Sequence, residues 1–252
     1  MAHIDELIAA LDELLDPGSY ADLGPNGLQV PGARDVARVV TGVSAQRQLI
    51  ERAVELNAQF VLVHHGLFWN FQPTGLTPVL AERLRPLFKH DINLAAYHIP
   101  LDAHAELGNN ALLASALGCD SHEPFGEYHG KPIGRKALFS SGITAHELRE
   151  RVRAATHRDP LIQGSGPERL RAIGIVSGSA ADMLPQAVKA GLDGFLTGEP
   201  REHVMADAQE SGIHFIAAGH YATETFGVRA LGDYLAERFG VEHMFVDIVN
   251  PV

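Results

Sequence analysis

Four short stretches of the 252-residue chain end an apolar run in imidazole or carboxylate. Val61-Leu-Val-His64-His65 closes on adjacent histidines, and Gly194-Phe-Leu-Thr-Gly-Glu199 closes on a glutamate. Ala95-Ala-Tyr-His98 is followed four residues on by Asp102, and Ala217-Ala-Gly-His220 four residues on by Glu224. A His-His pair or a single His-x-x-x-Glu is commonplace; together they make a nitrogen and oxygen donor set without sulfur. Such a set suits borderline to hard divalent ions, Fe, Mn, Zn, Co or Mg, without choosing among them. Two ions roughly 3.5–4 Å apart activate a water and clamp a substrate's reacting oxygen, so hydrolysis is the natural chemistry. Neighbouring side chains within a strand point to opposite faces, but at a strand end adjacent imidazoles can each serve one of two nearby ions. His220 and Glu224, four apart at a helix start, share a face. The expected ligands are His64, His65, Asp102, His220 and Glu224. His98 and Glu199 are the candidates for proton transfer. His98 could also ligate, or orient Asp102 from behind; Glu199 could also be a substrate contact or a charge at a helix N-terminus.

The elements that carry these residues are written twice. Ala53–His65 and Ala187–Glu199 each read as a helix end, a turn and a buried strand. Upstream of each lies a short strand, Val39–Ser44 and Ala172–Ser177. Downstream, Ile92–Asp102 aligns with His214–Glu224, and each copy enters an apolar helix closing on glycine, Gly118 and Gly240. The shared His-x-x-x-carboxylate makes this an internal duplication. Strands alternating with helices predict an α/β fold with mostly parallel sheets. Ligands of such sheets gather beyond the strand C-terminal ends. The expected division is 1–125, carrying His64, His65 and Asp102, and 126–252, carrying Glu199, His220 and Glu224, with the dinuclear site between the two. A linking region from about Asp120 to Arg169 contains a strand candidate, Lys136–Ser140, and a helix opening on the capping box Thr144-Ala-His-Glu147.

Composition narrows the function classes. The balance of 31 acidic to 20 basic side chains gives a net charge of -11, which disfavours non-specific binding to nucleic acid. Bound cations would reverse that sign locally, so a phosphorylated small molecule stays open. Cys119 is the single cysteine, which excludes a thiolate cluster, and it reads as a core residue. The N-terminal stretch to Leu15 is an acidic amphipathic helix without the pattern of a secretion signal. No segment approaches the ~20 apolar residues of a membrane span, so the cytoplasm is expected. Asn26-Gly27 suits a turn leading into a strand. Trp69, just after the histidine pair, is either core packing or a substrate wall. The remaining histidines read as surface or structural, with His203 alone near enough in sequence to approach Glu199.

Asn26-Gly-Leu-Gln-Val30, Val63-His-His-Gly66, His98-Ile-Pro-Leu-Asp102 with Leu107-Gly-Asn-Asn110, Thr197-Gly-Glu199 and Gly219-His-Tyr-Ala-Thr-Glu224 together resemble the NIF-three-like dinuclear-metal hexamer family, also catalogued as GTP cyclohydrolase I type 2. The resemblance runs from the first helix to Asp247-Ile-Val-Asn-Pro251, nearly the whole chain, and is closest to the short bacterial members. It implies two interlinked α/β domains and a toroidal homohexamer built as a trimer of dimers. Its ligand positions fall on His64, His65, Asp102, His220 and Glu224. The insert that some relatives carry between the halves is absent.

The leading expectation is a hydrolase using two divalent ions on a nucleotide or related heterocycle, with His98 or Glu199 moving protons. The first alternative is a scaffold or metallochaperone without chemistry. The second is a ring that encloses a partner or single-stranded nucleic acid, provided that Arg135, Lys136 and Arg149–Arg153 line the hole.

Overall fold

The computed structural model describes residues 1–252. Strand β1 (Ala2–His3) leads into helix α1 (Ile4–Leu15), whose first turn is closed by a capping box in which His3 and Glu6 satisfy each other's backbone N–H. Helix α1 buries Leu7 and Leu11 at the helical spacing the sequence predicts. A turn at Gly27, with φ of 96°, starts β2 (Gly27–Val30), and β3 (Asp35–Val36) pairs back with β1. The first repeat follows as β4 (Arg38–Ser44), α2 (Arg47–Glu55), β5 (Phe60–His65), α3 (Pro78–Lys89) and β6 (Asn93–Ala96). Then come α4 (Ile99–Ala103) and α5 (Asn109–Ala116).

A hairpin of β7 (Ser121–Tyr128) and β8 (Lys131–Thr144) leads to α6 (Ala145–Thr156), which is closed by the expected Thr144–Glu147 capping box. After β9 (Leu161–Gly164) comes the second repeat: β10 (Arg169–Ile175), α7 (Leu184–Lys189), β11 (Gly194–Thr197), α8 (Glu202–Glu210) and β12 (His214–Ala217). Short α9 (His220–Thr223), long α10 (Thr225–Phe239) and β13 (Glu242–Phe245) complete the chain. No helix is long and apolar enough to cross a membrane.

Two compact units result. One comprises Met1–Leu101 and Gly227–Val249, the other Asp102–Phe226 and Asn250–Val252. The first holds a five-stranded sheet in the order β13-β4-β5-β6-β2, parallel except at the β2 edge. Val40, Val61, Val63 and Leu94 on its strands pack with Leu49, Ile50 and Ala53 of α2 and Leu84 and Leu87 of α3. The second holds a six-stranded sheet in the order β7-β8-β10-β11-β12-β9. Its core joins Leu113 and Leu117, Leu148 and Val152 of α6, and strand residues Ile173, Ile175, Leu196 and Ile216. Cys119 packs against this core, only half-buried, and burial pushes its thiol up from the ordinary range.

Two expectations are corrected here. Only β10, β11 and β12 of the second sheet run parallel; the β7–β8 hairpin and β9 are antiparallel to their neighbours, so that sheet is mixed. The region 120–169 is thereby part of a core sheet rather than a linker. The expected boundary at 125/126 falls inside β7. The chain instead leaves the first unit within α4 and returns to it within α10, because β13 must pair with β4 while Leu113 and Leu117 belong to the second core.

Candidate metal centre

Parallel pairing of β5 with β6 sets Val63 beside Ala96, which brings the histidines that follow them together in the first unit. The His64 ring centroid lies 4.7 Å from that of His65 and 4.9 Å from that of His98, and His65 and His98 are 5.5 Å apart. One ring nitrogen from each of the three lies within 4.8 Å of the others. In every case Nδ1 is directed away to a fixed partner. His64 Nδ1 meets the Tyr97 carbonyl at 3.0 Å. A carbonyl only accepts, so Nδ1 carries the proton and Nε2 carries the lone pair a cation needs. His65 Nδ1 meets Ser44 Oγ at 3.0 Å, and His98 Nδ1 meets Asp22 Oδ1 at 2.6 Å. Such outer partners fix ring orientation and tautomer around metal sites.

Asp22 is a site residue that the sequence reading missed. Its carboxylate also accepts from Ile99 N–H at 3.0 Å, Asn26 Nδ2 at 2.9 Å and Leu23 N–H at 2.6 Å. Burial pushes the Asp22 carboxyl up, but His98, Asn26 and Ile99 together outweigh it and hold it below the ordinary range. Tyr97 is anchored too. Its buried hydroxyl donates to Asp12 Oδ1 at 2.6 Å, and burial first, then that carboxylate, push its phenol well above the usual value.

The second unit gathers the carboxylates. Asp102 and Glu224 present oxygens within 4.8 Å of one another, and both side chains are buried. Asp102 Oδ1 accepts from Asn109 Nδ2 at 2.8 Å and from Ser177 Oγ at 3.1 Å. Asn110 braces the same corner, donating to the Asp102 and Ile133 carbonyls and accepting from Ser177 N–H at 2.7 Å. His220 Nε2 lies 3.1 Å from Glu224 Oε2, while its Nδ1 contacts Glu199 Oε1. Burial alone would push the His220 imidazole down; Glu224 first and Glu199 second reverse this and raise it to about 9. Glu199 Oε2 accepts from Ser179 Oγ at 3.3 Å. Glycine makes the close approach possible: a Cβ on Gly178, where φ is +66°, would stand 2.4 Å from Glu224 Oε1.

The seven singled-out residues therefore fall into two clusters, each within one unit. His64, His65 and His98 form the first; Asp102, Glu224, His220 and Glu199 form the second. The duplication shows in the chemistry. His65 and Glu199 are equivalent positions, as are His98 and His220, and the same contact recurs within each unit, His65 with His98 and Glu199 with His220. Ser44 and Ser177, equivalent strand ends, each hydrogen-bond a site residue of their own unit. His98 turns Nδ1 to Asp22, and Asp102 is braced within its own unit by Asn109 and Ser177. His203 faces Asp182 at 3.3 Å. The donors fit a metal ion: imidazoles whose Nδ1 atoms are tied to fixed partners in the first unit, and buried carboxylates in the second, are the ligand types a divalent cation takes.

Residues 2–251 match the profile of the family described as Duf34/NIF3, NGG1p interacting factor 3. The chain belongs to that family. A GTP cyclohydrolase 1 type 2 homolog of Pseudomonas aeruginosa is 42% identical over 248 residues, covering 98% of each protein. Another of Vibrio cholerae is 41% identical over 249 residues, again covering 98% of each. Among solved structures, one titled as protein ybgI of unknown function superposes with a TM-score of 0.93 at 39% identity, and one from Thermus thermophilus with 0.92 at 36%; both cover 100% of both chains. The Duf34/NIF3 assignment thus spans both clusters and every element that carries them.

Proposed function

We propose that this Duf34/NIF3 protein is a hydrolase that uses two divalent ions on a nucleotide or related heterocycle, in the manner the names of its relatives suggest. The ions are held by His64, His65, Asp102, His220 and Glu224, with the metal drawn from Fe, Mn, Zn, Co or Mg. The observation that carries this reading is the three-imidazole cluster, each Nδ1 tied back so that the opposite nitrogens converge. When bound, the ions would supply Lewis-acid activation of water and of the substrate's reacting oxygen.

The chain's own groups divide the remaining work. Asp22 and Ser44 orient His98 and His65; Asn109 and Ser177 orient Asp102. Glu199 Oε1 pairs with His220 Nδ1, and Ser179 holds its other oxygen, so Glu199 is placed to accept or return a proton at that atom. Assembly as a toroidal homohexamer, a trimer of dimers, and a cytoplasmic location belong to the same proposal. Enclosure of nucleic acid finds no support in the basic residues suggested for it. Arg135 is buried and donates to the Ala103 carbonyl, while Lys136, Arg149 and Arg153 pair with Glu123, Asp159 and Glu150.

Incubation of metal-loaded protein with GTP and other nucleotides tests the reading. Turnover that His64→Ala abolishes is the expected result. Absence of turnover with every nucleotide, while about two ions per chain remain bound, overturns hydrolysis in favour of a metal scaffold.

A further inference from the structure

An aromatic array continues outward from the imidazole cluster of the first unit. Trp69, the single tryptophan of the chain, meets His98 edge-on at 5.2 Å and 90° and tilts over His65 at 5.9 Å. Phe71 stacks on Trp69 with centroids 5.7 Å apart and planes within 20°, yet Phe71 is 69% exposed. A residue recruited for core packing would not leave most of its ring in water. Trp69 itself is held firmly. A Cβ on Gly24 would stand 2.4 Å from the Phe68 carbonyl oxygen and 3.3 Å from Trp69 Cε3, so glycine lets its loop close on the Phe68–Trp69 segment. Asn70 N–H donates to the Leu23 carbonyl at 2.7 Å, and Gln72 N–H to the Trp69 carbonyl at 3.1 Å.

We propose that Trp69 and Phe71 form a clamp for a planar heteroaromatic ring of the substrate, Trp69 as the fixed jaw and Phe71 as the yielding one. The proposal rests on the hydrolase reading above and names the part of the ligand recognised. Trp69 and Phe71 now stack on each other, so a ring inserted between them requires Phe71 to swing out by about one ring thickness, about 3.5 Å. Phe71, largely exposed and stacked on Trp69, can move that far without disturbing a core. A ring held there lies against the indole whose edge touches His98, next to the imidazole cluster. A bare sugar or phosphate offers no π face and gains nothing from this surface.

Because Trp69 is the sole tryptophan, its fluorescence reports occupancy directly. The purified protein is titrated with guanosine and, separately, with ribose 5-phosphate. Saturable quenching by guanosine and none by ribose 5-phosphate is expected. Phe71→Ala, at an exposed position that does not threaten folding, should weaken guanosine binding by about tenfold. Trp69→Phe, followed by equilibrium dialysis, should retain binding that Trp69→Ala loses. Equal effects of the two probes, no saturable quenching, or an unchanged guanosine affinity in Phe71→Ala would each overturn the clamp. Binding is read without turnover, so the two readings fail separately. Quenching without hydrolysis keeps the clamp and removes the hydrolase; hydrolysis with Phe71→Ala unchanged does the reverse.

Discussion

Replacing Asp22 by alanine removes a carboxylate that touches no proposed metal ligand except through His98, and the structure says how much that should matter. Asp22 accepts from His98, Ile99, Asn26 and Leu23, and its side chain is only 4% exposed against 19% for His98. Leu23 and Asn26 can turn to water. The His98 Nδ1–H and the Ile99 N–H cannot, and each partly buried donor left without an acceptor costs about 1–3 kcal/mol. The sum is about 3 kcal/mol, which for a chain of this size lowers Tm by roughly 6–12 °C. Asp22→Asn retains an acceptor oxygen and should lose about half as much. With its orienting partner gone, the His98 ring turns against the His64 and His65 rings it packs beside at 4.9 and 5.5 Å, and disturbing those two ligands should lower divalent-metal affinity about 10–100-fold. Thermal unfolding with and without metal, alongside calorimetric metal titration, measures both. An Asp22→Ala protein melting within about 1 °C of wild type with unaltered metal affinity would refute the reasoning.

Other expectations follow from the same geometry. His220, raised to about 9, is protonated at neutral pH in the metal-free chain. Its contribution to stability is complete below 6.5 and is lost as pH rises through about 9. A cation must displace that proton, so apparent metal affinity should climb about tenfold per pH unit from neutrality to the His220 pKa and then level off, with proton release seen in buffers of different ionisation enthalpy. Gly232→Ala inside α10 would ordinarily stabilise a helix by about 1 kcal/mol. Here the new Cβ stands 2.1 Å from Nε2 of His243, a ring fixed by Thr41 at Nε2 and by Asp233 at Nδ1, each at 2.8 Å, so denaturant unfolding should show a net loss of about 2 kcal/mol. Asn110→Ala breaks three buried hydrogen bonds and should cost about 3 kcal/mol together with reduced metal loading.

What the sequence disclosed and what it hid have one cause, separation along the chain. Strand tips, their histidines and the carboxylates four residues on are local patterns, so the duplicated strand–helix–strand unit, the third strand and the ligand candidates could be read directly, whereas the helix before the third strand of the first copy, α3, was not. Gly118 and Gly240 close their helices in the left-handed conformation as expected, at φ of 68° and 66°. Asp22 could not be found that way. It lies 76 residues before His98 in a loop with no periodicity, and only the folded chain brings the two together. Ser44 and Ser177 were visible as matched strand ends, yet nothing in their spacing marked them as partners of His65 and Asp102. The β7–β8 hairpin was under-read because Gly, Pro and charge in that stretch signal loops, while tertiary pairing with β10 overrides that local preference.

The return of the last helix and strand to the first unit constrains how the protein can be made. Arg38 on β4 is bonded to Glu242 on β13, 204 residues later, so the first sheet lacks its edge until that later strand has left the ribosome. Contacts of such long range are slow to close. Release of a nascent chain cut just before β13 should leave β4 as a raw margin, open to pairing with other molecules and to capture by chaperones.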